Sequence, residues 1–543
     1  MFKSRKKKKE ELLANYSKIK NGTFYFNRIR QYFLNNDTST AFQVISDKTY
    51  EDLDLDELFM FIDRTSSKIG QQFLYHALRV IPSNKDRFDR FEDLIKVLNA
   101  NNELKESTLE QLSRLNSNDA YYISSLFQEN HLPKPKWFWV VPILSLTSIL
   151  TIILSIFFPQ LLIILIPILG VNYFIHYWNR EKFTQYSGSI LELLKLKQVA
   201  KELAKTEVLS KTNNEINNAI MAIDSIGFQM SLFRLEAKLQ SDIGQALEGF
   251  LDIVKALFLI EPLVFFNVLK EFDSKRNEIH QLFKLVAEID VAISIDSLRK
   301  DLPYYTIPRF ENKKELLAKD IFHPLLPDFV ANSIESHQKS ILLTGSNMSG
   351  KTTFIRTVGI NAIVSQTLNT AFAREFAIPP LKVHSAIRIS DDIMNDKSYY
   401  FEEVLTIKMM VEESRSGVQN LFLLDEMFKG TNTVERISAG KSVLSYLAKQ
   451  GNIVFISTHD LELAAYLEDS FDLYHFTEVV ENDNIIFDYK IKHGQLKTTN
   501  AIRILALNKY PNEIIDEAKK LSMQLRSEKH LWDKYILGDK KRI

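Results

Sequence analysis

Cysteine is absent from this 543-residue chain. That excludes disulfides, thiolate metal sites and cysteine nucleophiles, and it suits a reducing compartment. Net charge is absent too, because 68 Lys+Arg balance 68 Asp+Glu. A protein whose main task is to coat nucleic acid usually carries a basic excess, so any such contact here must come from a local patch. No apolar run follows the basic opening MFKSRKKKKE, which is therefore not a secretory signal. It reads either as a solvated tail or as a polybasic contact to anionic lipid or nucleic acid. No fixed period repeats along the chain. The remainder is ordinary globular composition, 45% hydrophobic and 25% charged, with length for about two to four domains.

Charge is also missing locally: residues 137–178 contain no Asp, Glu, Lys or Arg. As helix this run would be about 63 Å long, about twice the hydrocarbon thickness of a bilayer. Pro159–Gln160 divides it into two passes of about one span each. Trp137, Phe138 and Trp139 at one outer end, and Tyr173, Tyr177 and Trp178 at the other, suit the two membrane interfaces. Lys134 and Lys136 precede the run and Arg180 and Lys182 follow it, which puts both flanks on the cytoplasmic side. The expectation is a two-helix, multi-pass membrane hairpin with both termini in the cytoplasm. The competing reading is a buried hairpin of a soluble protein, although core helices rarely keep both faces apolar for this length.

On either side of the hairpin, residues 46–130 and 180–312 show apolar spacing near 3.6 and read as helical. From about 313 to 530 short apolar runs, SILLTG, LFLLDE and NIVFIST, alternate with helical patterns. This predicts a mostly parallel sheet with crossover helices. A basic segment (1–45) and a basic tail (531–543) complete the division.

GSNMSGKT (345–352) follows one such run and leads into a plausible helix, the strand–loop–helix context of a phosphate-binding loop. Its members are Gly345, Ser346, Asn347, Met348, Ser349, Gly350, Lys351 and Thr352, with Thr353 next. The glycines let backbone N–H groups turn toward phosphate oxygens, and the helix N-terminus adds partial positive charge. Lys351 would meet the β- and γ-phosphates and Thr352 would give a hydroxyl to Mg²⁺. LFLLDE supplies the second half: Asp425 for Mg²⁺ and Glu426 as the catalytic acid residue that orients or polarises an attacking water. Alone, such an Asp-Glu pair is an acidic turn at a strand end. His459, after the next apolar run, stands where it could sense the γ-phosphate; a solvated surface histidine is the alternative.

These segments resemble the MutS family, a branch of the ABC-type ATPases. TGSNMSGKTTF, AFAREFAIPPLKVHSAIRISDDI (371–393), SYYFEEV (398–404), LLDEMFKGTNT (423–433), STHDLEL (457–463) and FDYKIKHG (487–494) follow the family's motifs in order and spacing. HPLL (323–326) and DFVANSI (328–334) resemble its lead-in, which nominates Phe329 to stack on adenine. FIDRTSSKIGQQFLYHAL, with Asp63, Arg64, Thr65, Gly70 and Leu74, resembles the start of its helical core.

The resemblance implies an α-helical core and lever region interrupted by a transmembrane hairpin, followed by an α/β P-loop ATPase domain of ABC type. It implies ATP and Mg²⁺ as ligands, and a homodimer in which Ser398, Thr431 and Asn432 reach the partner's nucleotide. Ser398 also reads as an N-cap with Glu402 in capping distance. With about 45 residues before the core match, the family's mismatch-reading and connector domains are expected to be missing. Two functions follow: a membrane-tethered ATPase that clasps DNA structures without reading bases, or an ATP switch for a protein or lipid partner. An exporter is disfavoured, because four spans per dimer are too few for a substrate pathway.

Overall fold

The computed structural model describes residues 18–524, apart from 21, 207, 208, 210–212, 228, 229, 231–244, 312, 347, 389–398, 482, 483, 497–501, 503, 504 and 507. The chain divides into two compact units. The first comprises residues 1–44 and 57–303, the second 45–56 and 304–543.

The first unit is helical among its described residues, apart from a two-residue strand pair joining Gln43–Val44 to Val80–Ile81. Its main elements are α1 (Lys68–Arg79), α2 (Asp86–Ala100), α3 (Val140–Ser155), α4 (Leu162–Ala204), α5 (Gln245–Phe258), α6 (Ile260–Ser274) and α7 (Arg276–Asp301). The FIDRTSSKIGQQ segment works as an anchor for α7. Ser67 caps α1 by accepting the Gly70 N–H, and the buried Asp290 carboxylate of α7 accepts from Ser66 N, Ser67 N and Ser67 Oγ at 2.8, 2.8 and 2.5 Å. A Cβ on Gly70 would fall 2.2 Å from Asp290 Oδ2, so only glycine allows this approach. Burial pushes the Asp290 carboxyl up to about 6 against these donors. Asp63 is equally buried but takes Lys20 at 2.8 Å, Thr65 Oγ1 at 2.6 Å and Gln71 at 2.6 Å.

Within this unit, Lys136–Ser155 and Pro159–Arg180 are each long and apolar enough to cross a membrane. The chain turns at Pro159, where the charge-free run was expected to break. Only 22% and 17% of the two apolar windows are buried inside the protein. Ile156, Phe157, Ile163, Ile166 and Phe174 are all at least 70% exposed. A soluble core hairpin would bury these side chains.

The second unit contains two main sheets. In chain order its elements are β1 (Glu315–Ile321), β2 (Asn332–His337), β3 (Ser340–Thr344), α8 (Lys351–Leu368), β4 (Glu375–Ile378), β5 (Lys382–Ala386), α9 (Tyr399–Glu413), β6 (Asn420–Asp425), α10 (Thr433–Leu447), β7 (Ile453–Thr458), α11 (Leu461–Leu467), β8 (Phe471–His475), β9 (Glu478–Glu481), β10 (Asn484–Phe487) and β11 (Lys492–His493). The central sheet runs β11–β8–β3–β7–β6–β5 and is parallel apart from β11. Every residue of β3 and β7 is buried, as befits central strands covered on both faces. The second sheet, Arg309–Phe310–β4–β1–β2, is mixed. Residues 512–524 are helical.

The observed division differs from the sequence-based boundaries at 46 and 313. Residues 45–56 fold with the second unit, because the buried Asp52 accepts from Ser385 Oγ at 2.7 Å, Ile387 N at 3.0 Å and Arg388 N at 2.9 Å. Leu53 packs against Gly359 of α8. Nothing local to 45–56 distinguishes this helix from those after it.

Candidate nucleotide site

Register builds the site. Thr344 pairs with Thr458, and Ser457 with Asp425, so β3, β7 and β6 end side by side. The loops leaving these three carboxyl ends therefore meet in one crevice, where open α/β sheets bind ligands.

The loop after β3 turns through Gly345 and Gly350, at φ +151° and +104°. A Cβ at Gly345 would lie 2.7 Å from the Phe476 carbonyl oxygen, and one at Gly350 would lie 3.3 Å from the Tyr489 ring. Gly350 caps α8, so the free N–H groups of that helix point into the crevice. The Lys351 Nζ donates to the carbonyls of Gly345 and Ser346 at 2.9 and 2.8 Å. Burial lowers its ammonium below the usual lysine range, partly offset by Glu426 and Asp425. Ser349 Oγ braces the loop on the Ser346 carbonyl at 2.8 Å. Met348 projects outward, 82% exposed.

The two acids diverge in environment. Asp425 Oδ2 accepts from Thr352 Oγ1 at 2.7 Å, and Asp425 Oδ1 accepts from Ser457 Oγ. Glu426, at φ +52°, turns its side chain out of the strand. It meets His459 Nε2 at 2.5 Å and Lys429 Nζ at 2.8 Å. Burial alone would raise its carboxyl, but the hydrogen bonds and charges of His459 and Lys429 prevail and bring it down to about 2.

A cavity of about 540 Å³ runs from this cluster to an aromatic wall. Phe329 lines it and stacks on Phe322, ring centroids 4.2 Å apart. Thr353, His323, Phe476 and Tyr489 line it as well. Burial and Arg356 lower the His323 imidazole to about 4.

The structure thus brings together Gly345, Ser346, Met348, Ser349, Gly350, Lys351, Thr352, Thr353, Phe329, Asp425, Glu426 and His459. Asn347 and Ser398 lie outside the described residues. Thr431 and Asn432 serve their own chain: Asn432 Oδ1 caps α10 by accepting the Glu435 N–H at 3.0 Å, and Thr431 Oγ1 donates to Glu435 at 2.7 Å. Sequence reasoning missed Glu478, which accepts from Ser346 Oγ at 2.7 Å. It also missed Lys429 as a partner of Glu426. Glu478 carries no local signal, since a distant hairpin delivers it. Tyr489 and His323 lay inside recognised segments without being singled out.

The family model for MutS domain V matches residues 341–526. The chain is similar to the DNA mismatch repair protein MutS of Petrotoga mobilis, 29% identical over 278 residues, covering 49% of this chain and 34% of that one. It is 27% identical over 267 residues to the MutS proteins of Bacillus mycoides and Bacillus cereus strain AH187, covering 47% of this chain and 30% of each. The matches span about a third of the length of these relatives. With its ordered motifs, its loop–acid–histidine geometry and these matches, residues 341–526 belong to the MutS domain V family.

Proposed function

We propose that this chain is a membrane-tethered ATPase that uses ATP to close a homodimer on a DNA structure, in work related to the mismatch repair for which its relatives are named. The observation that carries the ATPase reading is that Lys351, Thr352 and Glu426 line one cavity with an aromatic wall, with Asp425 bonded to Thr352 and His459 to Glu426. The crevice suits a magnesium nucleotide: a buried ammonium and helix N–H groups at one end, Phe329 at the other, and Thr352 and Asp425 as adjacent oxygen donors. Mg²⁺, when bound, would neutralise charge on the β- and γ-phosphates, held by Thr352 and Asp425.

The chain's own groups do the rest. Lys351 exchanges the Gly345 and Ser346 carbonyls for phosphate oxygens. Phe329 stacks on the adenine. Glu426 remains ionised at neutral pH and accepts a hydrogen bond from the attacking water, which aims the water oxygen at the γ-phosphorus. With its carboxyl near 2 it is a weak base, so its main contribution is orientation rather than early proton removal. His459 holds Glu426 in place at 2.5 Å. Ser398, Thr431 and Asn432 would complete the partner's site.

The exposure of Ile156, Phe157, Ile163 and Phe174 supports tethering through residues 137–178, with the ATPase half in the cytoplasm. The zero net charge favours a second reading, an ATP switch for a protein or lipid partner. Hydrolysis in detergent, with and without branched and mismatched duplexes, separates the two. Stimulation by one structure, with affinity that falls steeply with salt, supports DNA. No binding to any duplex at low salt rejects it. Recovery of the whole chain in a detergent-free soluble fraction would reject the tether.

A further inference from the structure

We propose that the turn between α5 and α6, residues 252–264, is a re-entrant wedge that enters the same bilayer leaflet as the base of the hairpin. This rests on the membrane reading of residues 137–178.

The sequence around the turn is apolar: between Lys255 and Lys270 the only charge is Glu261. The helix breaks at Leu259, which takes the left-handed conformation, φ +49°. A break of this kind strips the last carbonyls of α5 of their helical partners. In water they would be solvated. Here the two hairpin helices satisfy them. Ser145 Oγ of α3 donates to the Phe258 carbonyl at 2.7 Å, and Asn172 Nδ2 of α4 donates to the Leu257 carbonyl at 2.8 Å. Asn172 also donates to Ser148 Oγ at 3.1 Å. Ser145, Ser148 and Asn172 are all buried. Internal satisfaction of a broken helix is what the hydrocarbon region demands of irregular backbone.

The charges near the turn are paired in the same way. Asp252 meets Arg180 at 3.2 Å, and Glu261 lies between Lys255 at 3.2 Å and His176 at 3.3 Å. Pairing of this kind is characteristic of ionisable groups held at membrane depth. The outward side chains are apolar: Ile253 is 49% exposed and Ile260 38%.

Depth follows from the helical rise. Ser145 lies six residues beyond Trp139, and Asn172 six before Trp178. The tip of the turn therefore sits about 9 Å below the aromatic girdle, more than half of a leaflet about 15 Å deep. Both hairpin helices give the same depth independently. The occupant of the exposed face is thus the acyl region of the cytoplasmic leaflet.

The absence of cysteine provides the test. Full-length Ile260→Cys, Ile253→Cys, Ile149→Cys and Glu468→Cys proteins are reconstituted in phosphatidylcholine–phosphatidylglycerol vesicles. Each is labelled with a membrane-impermeant maleimide, and separately with a fluorophore exposed to spin-labelled lipids. Ile149 reports the hairpin and Glu468 the aqueous ATPase surface. The wedge predicts that Ile260 and Ile253 label about tenfold or more slower than Glu468, and that the lipid quenchers reach both. Wedge probes as reactive as Glu468, with Ile149 still protected, overturn the wedge and leave the hairpin standing. If Ile149 is also reactive and unquenched, the membrane reading and the wedge fall together.

Discussion

Replacing Glu426 by Gln removes the charge of the side chain and little of its shape, and the structure sets what this does. The carboxylate meets His459 at 2.5 Å and Lys429 at 2.8 Å. Charge-assisted hydrogen bonds are worth about 1.5–3 kcal/mol when buried. Here Lys429 is half exposed, so its bond is worth nearer 0–1 kcal/mol. The amide keeps an acceptor for His459 but turns a donor toward Lys429. The loss of fold stability should therefore stay near 1–2 kcal/mol. Nucleotide binding depends on Lys351, Thr352 and the loop, so Kd for ATP should move by less than about threefold. Hydrolysis loses the acceptor that aims the water and should fall by about 100- to 10,000-fold. Single-turnover hydrolysis and equilibrium binding of a fluorescent ATP analogue, measured on one preparation, separate these effects. Hydrolysis within about threefold of the parent would refute the assignment of Glu426. Weakened binding equal to the loss of rate would show that the side chain holds nucleotide instead.

The same carboxyl fixes a pH dependence. Its folded value near 2 lies below the ordinary glutamate value of 4.5, so its stabilising contribution is fully present above 4.5 and lost as pH falls through 2. Glu426 should thus contribute no loss of hydrolysis between pH 8 and pH 5, and the parent-to-Gln rate ratio should be flat there; a ratio that collapses within this window would show a carboxyl titrating near neutrality. Lys351→Ala should abolish ATP binding, because no other buried cation among the described residues lines the cavity; retained micromolar binding in calorimetry would contradict this. Phe329→Ala should weaken ATP by about 1–3 kcal/mol through lost stacking while leaving competition by tripolyphosphate unchanged, and equal losses for both ligands would count against an adenine contact. Asp52→Asn leaves donors from Ser385, Ile387 and Arg388 facing an amide, and should destabilise the second unit by about 2–4 kcal/mol. Amide exchange across residues 382–388 should accelerate accordingly, and unchanged protection would remove Asp52 as the anchor.

Features governed by short stretches of chain were legible in the sequence. The loop at 345–352 is a local device, because glycine spacing and the following helix fix where its N–H groups point whatever surrounds them. The turn at Pro159 and the absence of charge on either side are likewise written in one contiguous run. Gly70 stood out as a member of a motif, but its reason, a buried carboxylate from Asp290 packed against its Cα, comes from a helix more than two hundred residues away.

The site shows the same split. Asp425, Glu426 and His459 could be named from strand-end motifs, yet no local rule states that β7 lies between β3 and β6. That order sets Ser457 beside Asp425 and His459 against Glu426. Pairing between strands is non-local, and neighbours in a parallel sheet need not be neighbours in sequence. For the same reason only the tertiary structure could deliver Glu478 to Ser346 and residues 45–56 to the second unit. By itself the sequence determined which chemical groups this protein has and how its loop and hairpin turn. The tertiary structure decided which groups meet, because the contacts that set their charge and orientation are made by segments that only the packing of sheet and helices brings together.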